Sequence, residues 1–243
     1  MKHVKYLLAI IFIIFLWFFL PIILNSNIVP SPFKVFMNLG NVFLTKIAIH
    51  AAYSLWRIAA GIILSALIGV PLGLIMGYFK KADQFLSPLV YFIYPIPKIA
   101  LIPVVMLILG LGEASRIAMI TLIVLFQIIV ATRDAVKVIP NEVYHSLKAL
   151  GASHYQIFGH AVFPASLPGI LTSLRVGLGT AVSVLFFTET FGTQYGMGYF
   201  IMDAWMRVNY VEMYSGILVL SLLGFGLFLS VDLSEKHLCA WKG

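Results

Sequence analysis

Apolar residues in this chain come in long unbroken runs. They fall over Leu7–Leu24, Ile58–Tyr78, Phe85–Leu111, Ile117–Thr132, Gly169–Thr190 and Met213–Val231. A helix needs about 20 such residues to cross a bilayer, so each run predicts a membrane-spanning helix. A transmembrane barrel would instead show short alternating segments. The first run follows Lys2 and Lys5. It exceeds the roughly 7–15 residues of a signal-peptide core and lacks a small-x-small cleavage site, which predicts a retained span. The third run is interrupted by Pro95, Pro97 and Pro103 and carries Lys98. In the second, Gly61, Ser65, Gly69 and Gly73 recur every four residues, a stripe that lets a neighbouring helix come close. The expected order is an N-terminal span with its outer end (1–30), an external connection with an interfacial helix (31–52), a five-helix core (53–235) and a tail (236–243).

One stretch inside the core breaks the apolar pattern: residues 141–168. Asn141, after Pro140, is placed to cap a short helix, and Val143, Leu147 and Leu150 then share a face. Lys148 suits the last turn and Gly151 the left-handed residue that ends it. Ser153 and Gln156 form an S-x-x-Q capping box opening a second helix, with Ile157, Phe158, Ala161 and Val162 as its apolar face. Phe163-Pro164 is expected to end that helix, and Ser166 and Pro168 to cap and open the fifth span. The product is a helix–glycine–helix elbow. Two uses fit it: lying on the bilayer surface, or docking its apolar face into a groove of a soluble partner.

Composition supports the membrane reading, with 61% hydrophobic and 10% charged residues. Charge then sets topology. Lys2, Lys5, Lys80, Lys81, Arg133, Lys137, Lys148, Lys236 and Lys242 fall on one side; Lys34, Lys46, Arg57, Arg116 and Arg207 fall on the other. The bias places both termini and the elbow in the cytoplasm. The one cysteine, Cys239, excludes an internal disulfide framework and a Cys-rich metal site. No nucleic-acid motif, no H-E-x-x-H and no Walker A phosphate loop occurs, so any ATP hydrolysis belongs to another chain. An intramembrane enzyme would need a convergent nucleophile and base, and none is present. A self-sufficient secondary transporter or channel is the alternative class; it would show inverted repeats or several mid-bilayer ionisable groups.

The translocation-path candidates are Pro95, Pro97, Lys98, Pro103, Arg175 and Glu189. Prolines free backbone carbonyls, which is tolerated where backbone lines a cavity. Lys98 either faces the path of a small anion or snorkels at a broken helix end. For Arg175 and Glu189 a structural role is the stronger reading. Gly192, Gly196 and Gly198 resemble a tight external re-entry, and Tyr195, Tyr199, Trp205 and Tyr210 an interfacial aromatic belt.

The stretch "GASHYQIFGHAVFPASLPGILTSLRVGLG" resembles the cytoplasmic loop of bacterial ABC importer permeases, the binding-protein-dependent transport inner-membrane component. That family's motif is E-A-A-x3-G-x9-I-x-L-P, and Gly151 and Pro164 match it at the required spacing of thirteen. His145, Ser146 and Leu147 stand in place of E-A-A, and Ala161 and Phe163 in place of the Ile and Leu. "SLWRIAAGIILSALIGVPLGLIMGY", "SPLVYFIYPIPKIALIPVVMLILGLGEASRIAMI" and "ETFGTQYGMGYFIMDA" are similar to further family segments, most of all in the nitrate/sulfonate/taurine/bicarbonate subgroup. The resemblance implies an all-α, six-span type I importer permease (MetI-like) in the bacterial inner membrane. It implies a second permease subunit, two cytoplasmic ATPase subunits that carry ATP and Mg, and an extracytoplasmic substrate-binding protein, with no cofactor on this chain. The coupling loop would comprise His145, Leu147, Leu150, Gly151, Ala152, Ser153 and Pro164. His145 supplies no fixed negative charge, so docking would rest on apolar contact.

Overall fold

A computed structural model describes residues 12, 14–21, 23 and 28–242. The expected first span, Leu7–Leu24, lies partly outside the described residues; within it, residues 14–21 are helical. Among the described residues every regular element is a helix: α1 (Pro32–Val42), α2 (Ala48–Tyr78), α3 (Lys80–Ile93), α4 (Ile102–Leu109), α5 (Glu113–Lys137), α6 (Asn141–Ala149), α7 (His154–Ile157), α8 (Phe163–Glu189), α9 (Met197–Met206) and α10 (Tyr210–Leu238).

Four continuous stretches are long and apolar enough to span: Pro32–Tyr78, Glu113–Lys137, His154–Glu189 and Tyr210–Leu238. A fifth forms if the bent pair α3 and α4 counts as one; its halves meet at 76°. The bend falls at Pro95 and Pro97, as the sequence predicts.

Two continuities depart from expectation. The interfacial helix expected in 31–52 is α1, and it joins α2 without a break through the π-helical residues Phe43–Ile47. The second elbow helix does not end at Phe163-Pro164. It passes through π-helical Phe158–Val162 into α8, a run of 36 residues. At the exit of this wide turn the Phe163 N–H reaches back five residues to the Phe158 carbonyl. We attribute the tolerance of Pro164 to its position: it follows the wide turn at once and lies in the first turn of α8, where a missing N–H and a ring clash matter least. Ser166 is therefore no cap. It is buried inside the helix and donates to the Phe163 carbonyl at 3.1 Å. Pro168 sits in the helix interior, and Thr172 donates its hydroxyl to the Pro168 carbonyl at 2.9 Å.

The chain forms two compact units, Met1–Ser54 with Glu189–Leu223 and Leu55–Thr188 with Gly224–Gly243. In the second unit the glycine stripe of α2 lies on α5. A Cβ at Gly61 would meet Ile120, one at Gly69 Ile128, one at Gly73 Thr132, and one at Gly77 Val136. The partner residues thus repeat the spacing of the stripe, and the backbones approach closely. Ser65 donates to the carbonyls of Gly61 (2.7 Å) and Thr121 (3.3 Å) across this seam. Ile58, Ile120, Val124 and Ile128 then pack with Leu178, Ala181, Val184 and Leu185 of α8. Near the α2 C-terminus a separate cluster gathers Leu74, Val136, Ile157, Val162 and Ile170. In the first unit, Asn38 of α1 donates to Ser215 of α10 at 3.0 Å, and Lys46 pairs with buried Glu212 at 2.9 Å.

The seam yields a test. Gly69→Leu overpacks it and should destabilise the protein by about 1–3 kcal/mol, whereas Gly226→Leu, where a side chain meets nothing within 4 Å, should cost far less. Thermal unfolding of the detergent-solubilised chain reads the difference.

Candidate functional site

The elbow is built by backbone geometry. Helix α6 ends in a Schellman arrangement: the Gly151 N–H donates to the Lys148 carbonyl (2.9 Å) and the Ala152 N–H to the Leu147 carbonyl (3.0 Å). Gly151 supplies the required left-handed conformation, with φ +78°. Ser153 then opens α7 with both bonds of the capping box: its N–H donates to Gln156 Oε1 (2.8 Å), and its Oγ accepts from the Gln156 N–H (3.4 Å). The N-terminal cap differs from expectation. Pro140 occupies the cap position, and Asn141 is already helical. With φ fixed by its ring, Pro140 presets the entry that a capping side chain would otherwise hold.

The expected apolar face of the elbow is divided. Leu147 and Ala152 turn inward and pack with Tyr144 and Phe158 on the Leu74–Val136–Ile157 cluster. Tyr78 anchors this side, its hydroxyl 2.8 Å from His154 Nδ1 and its ring edge-on to Phe158. Burial, with Tyr78 alongside, pushes the Tyr144 phenol pKa up. What the elbow presents outward is Leu150, 84% exposed, and Tyr155, 92% exposed. His145 and Ser153 are also exposed. Beside the elbow a cleft of about 900 Å³ is lined by Val143, Leu147, His160, Pro164 and Trp241.

The intramembrane candidates occupy three separate places. At the α3–α4 break, Lys98 is buried and donates to the carbonyls of Ile93 (3.2 Å) and Tyr94 (2.9 Å). Its ammonium also lies 5.0 Å from the Phe126 ring centroid. Lys98 therefore satisfies carbonyls freed where α3 stops at Pro95 and Pro97. Pro103 lies in the first turn of α4, where no N–H is needed. Arg175 of α8 binds Glu235 of α10 at 2.6 Å and also pairs with Asp232, clamping those helices within one subunit.

Glu189 is fully buried in the first unit. It accepts from Ser54 Oγ (2.8 Å) and from the Gly198 N–H (2.8 Å). The Met197 N–H donates to Ser54 Oγ at 2.8 Å, and the Gly196 N–H to His50 Nδ1 at 3.1 Å. The first N–H groups of α9 are thus held by Glu189, Ser54 and His50, side chains brought from distant sequence. Gly196 has φ +134°, and a Cβ there would collide with the Glu189 carboxylate. These contacts fix the turn that carries Gly192, Gly196 and Gly198 between α8 and α9. Tyr195 stacks on Tyr53 at 4.9 Å, and Tyr199 stacks on His50 at 5.8 Å. A cavity of about 580 Å³ beside the same turn is lined by the neutral side chains of Thr190, Thr193, Gln194, Tyr199, Met202 and Met206. Among the described residues, no group of three or more His, Cys, Asp or Glu side chains could hold a metal ion.

Sequence reasoning missed Ser54, the role of His50, and the pair of Arg57 with Glu113, where Arg57 Nε donates to Glu113 Oε2 at 2.8 Å. Each joins positions far apart in the chain, and no local spacing reports such pairs.

Apolar helices long enough to span, a bent helix pair and a polar elbow between two spans define a multi-pass membrane protein. The chain belongs to the family described as binding-protein-dependent transport system inner membrane component, whose model matches residues 69–240. It is a membrane permease subunit of an ABC importer and not itself an enzyme. Curated relatives include the taurine transport system permease protein TauC of Escherichia coli, 30% identical over 80% of this chain and 70% of that one. The putative aliphatic sulfonates transport permease protein SsuC of Bacillus subtilis is 26% identical over 90% and 80%. The nitrate import permease protein NrtB of Synechocystis is 26% identical over 92% and 84%. Among solved structures, a chain of the MetNI methionine ABC transporter in an inward-facing form matches with TM-score 0.70 and 20% identity, over 79% of this chain and 95% of that one.

Two outcomes follow for the braced elements. Glu189→Ala leaves buried donors of α9 without their acceptor and should cost about 1–3 kcal/mol, while Glu189→Gln should lose less; thermal unfolding, with protease nicking between residues 190 and 197 as a local readout, checks both. Gly151→Ala should cost about 1 kcal/mol through its left-handed φ, since a Cβ meets nothing there, and the same unfolding assay measures it.

Proposed function

We propose that this chain is one half of a homodimeric permease that carries a small polar or anionic solute of the nitrate, sulfonate, taurine or bicarbonate kind. An extracytoplasmic binding protein delivers the solute, and two cytoplasmic ATPase subunits, which hold ATP and Mg, drive the change of access. This chain binds no cofactor. Its termini and elbow face the cytoplasm, and with the N-terminal run it contributes six spans.

The observation that carries the reading is the elbow's construction. Its inner side is fixed by Leu147, Ala152 and the Tyr78–His154 contact. Its outer side offers Leu150 and Tyr155, two large side chains that water alone would not favour at such exposure. Helix α7 then continues without interruption into α8. A push on the outer face therefore reaches the bilayer core along one rod. The substrate class rests on the relatives' named cargoes and on the presence of buried cations in the chain.

Leu150→Glu and Tyr155→Glu, both at exposed positions, should leave the permease folded yet abolish co-purification of the ATPase subunits. Leu147→Ala should lower thermal stability by about 2–5 kcal/mol through the cavity it leaves, whatever its effect on assembly. Retention of a stoichiometric, transport-competent ATPase by both Glu variants would overturn the docking role of the elbow.

A further inference from the structure

At the end of α5 opposite the elbow, two arginines converge on one turn. Arg57 and Arg116 are 1% and 2% exposed, deeper than any other cation among the described residues. Arg116 donates to the carbonyls of Leu111 (2.8 Å) and Gly112 (2.7 Å), holding the turn between α4 and α5. Arg57 offers its Nε and Nη2 as a fork to the two oxygens of Glu113, the first residue of α5. The Glu113 side chain is 42% exposed although the Arg57 side chain under it is 1% exposed. The carboxylate is therefore a cover: the guanidinium is sealed from solvent, and its partner reaches solvent. Beside it the turn is open, since a Cβ at Gly110 or Gly112 would meet nothing within 4 Å. The N-terminal dipole of the 25-residue α5 adds positive potential at the same place.

We propose that Arg57, Glu113 and Arg116 form an exchangeable anion site, in which a small anion bearing two coplanar oxygens displaces the Glu113 carboxylate from the Arg57 fork. Nitrate and sulfonates present the same pair of oxygens as a carboxylate. The exchange keeps a buried guanidinium paired throughout, so it avoids the cost of an uncompensated buried charge. Glu113 returns to water and regains hydration. Chloride can accept from both N–H groups but offers no pair of coplanar oxygens, so it fits the fork less well. In the empty protein Glu113 fills the site and excludes adventitious ions. Arg116 acts by position and charge: it fixes the turn that aims Glu113 and adds attraction for the incoming anion. This rests on the anionic-cargo reading above, and it assigns the selectivity to a place in the chain.

The test uses the purified full chain in detergent, with thermal unfolding followed at constant ionic strength in sodium nitrate, sodium methanesulfonate or sodium chloride. In Glu113→Ala the competing carboxylate is gone, and nitrate and methanesulfonate should raise the midpoint at concentrations about tenfold below chloride. Wild type should show the same order at higher concentrations, because its own carboxylate competes. Glu113→Gln, which keeps the shape of the side chain, replaces the alanine variant if that one does not fold. Combining either with Arg57→Lys keeps the charge and loses the fork, and should erase the preference of nitrate over chloride. Equal responses to nitrate and chloride in both Glu113 variants, or a preference that survives Arg57→Lys, would overturn the site. Because no ATPase is present in this assay, either result leaves the coupling role of the elbow to its own test.

Discussion

The backbone approach of α2 and α5 is the contact on which the second unit depends. Four glycines of α2 meet Ile120, Ile128, Thr132 and Val136 at distances where no side chain would fit. Lipid is as apolar as leucine, so helices in a bilayer gain nothing by hiding apolar surface from it; close packing must supply the association. The seam runs from Gly61 against Ile120 to Gly77 against Val136, most of the length of α5 and the second half of α2. At one end it sets Tyr78 and Val136 as the floor of the elbow. At the other it brings Arg57 to Glu113. The floor of the elbow and the Arg57–Glu113 pair are registered to each other by one helix pair.

Charges inside the bilayer are held by the same logic of satisfied partners. Lys98 binds carbonyls that a proline-broken helix leaves free. Arg175 binds two carboxylates of a neighbouring helix. Glu189 collects the N–H groups that start α9. Lys98 and Glu189 sit where backbone groups are left without helical partners, and Arg175 pairs charge with charge between two regular helices. An ionisable residue in an apolar run thus has two readings, transport group or brace, and the geometry of its partners separates them. In this structure these three hold backbone groups or neighbouring helices. Arg57 differs, because its partner lies at the solvent boundary while the cation itself does not.

What was legible in the sequence was local or periodic. The apolar runs after the first, the stripe Gly61–Ser65–Gly69–Gly73, the left-handed Gly151 and the Ser153–Gln156 box are local or periodic signals, and each appears among the described residues. Three things were not legible. π-Helical turns have no spacing of their own, so Pro164 looked like a stop when the wide turn before it let the helix run on. An amphipathic stripe says that a face is covered and not by what; Leu147 was expected on a partner and lies on its own core. Pairs such as Ser54 with Glu189, 135 residues apart, depend on the whole fold.

The continuity of α7 with α8 alters how the elbow can work. A separate surface helix linked by a proline turn would absorb a push by pivoting. Here the path from His154 to Glu189 is helical throughout, with a single widened turn at Phe158–Val162. That turn is the place where one backbone register gives way to another, and π turns are found where helices bend or shift. It lies directly between the exposed Tyr155 and the buried length of α8. The inner side of the elbow, pinned by Tyr78 and Leu147, keeps the lever attached to α2 and α5 while its outer side stays free. The glycine seam, backbone against side chain with no slack, holds that inner side in place.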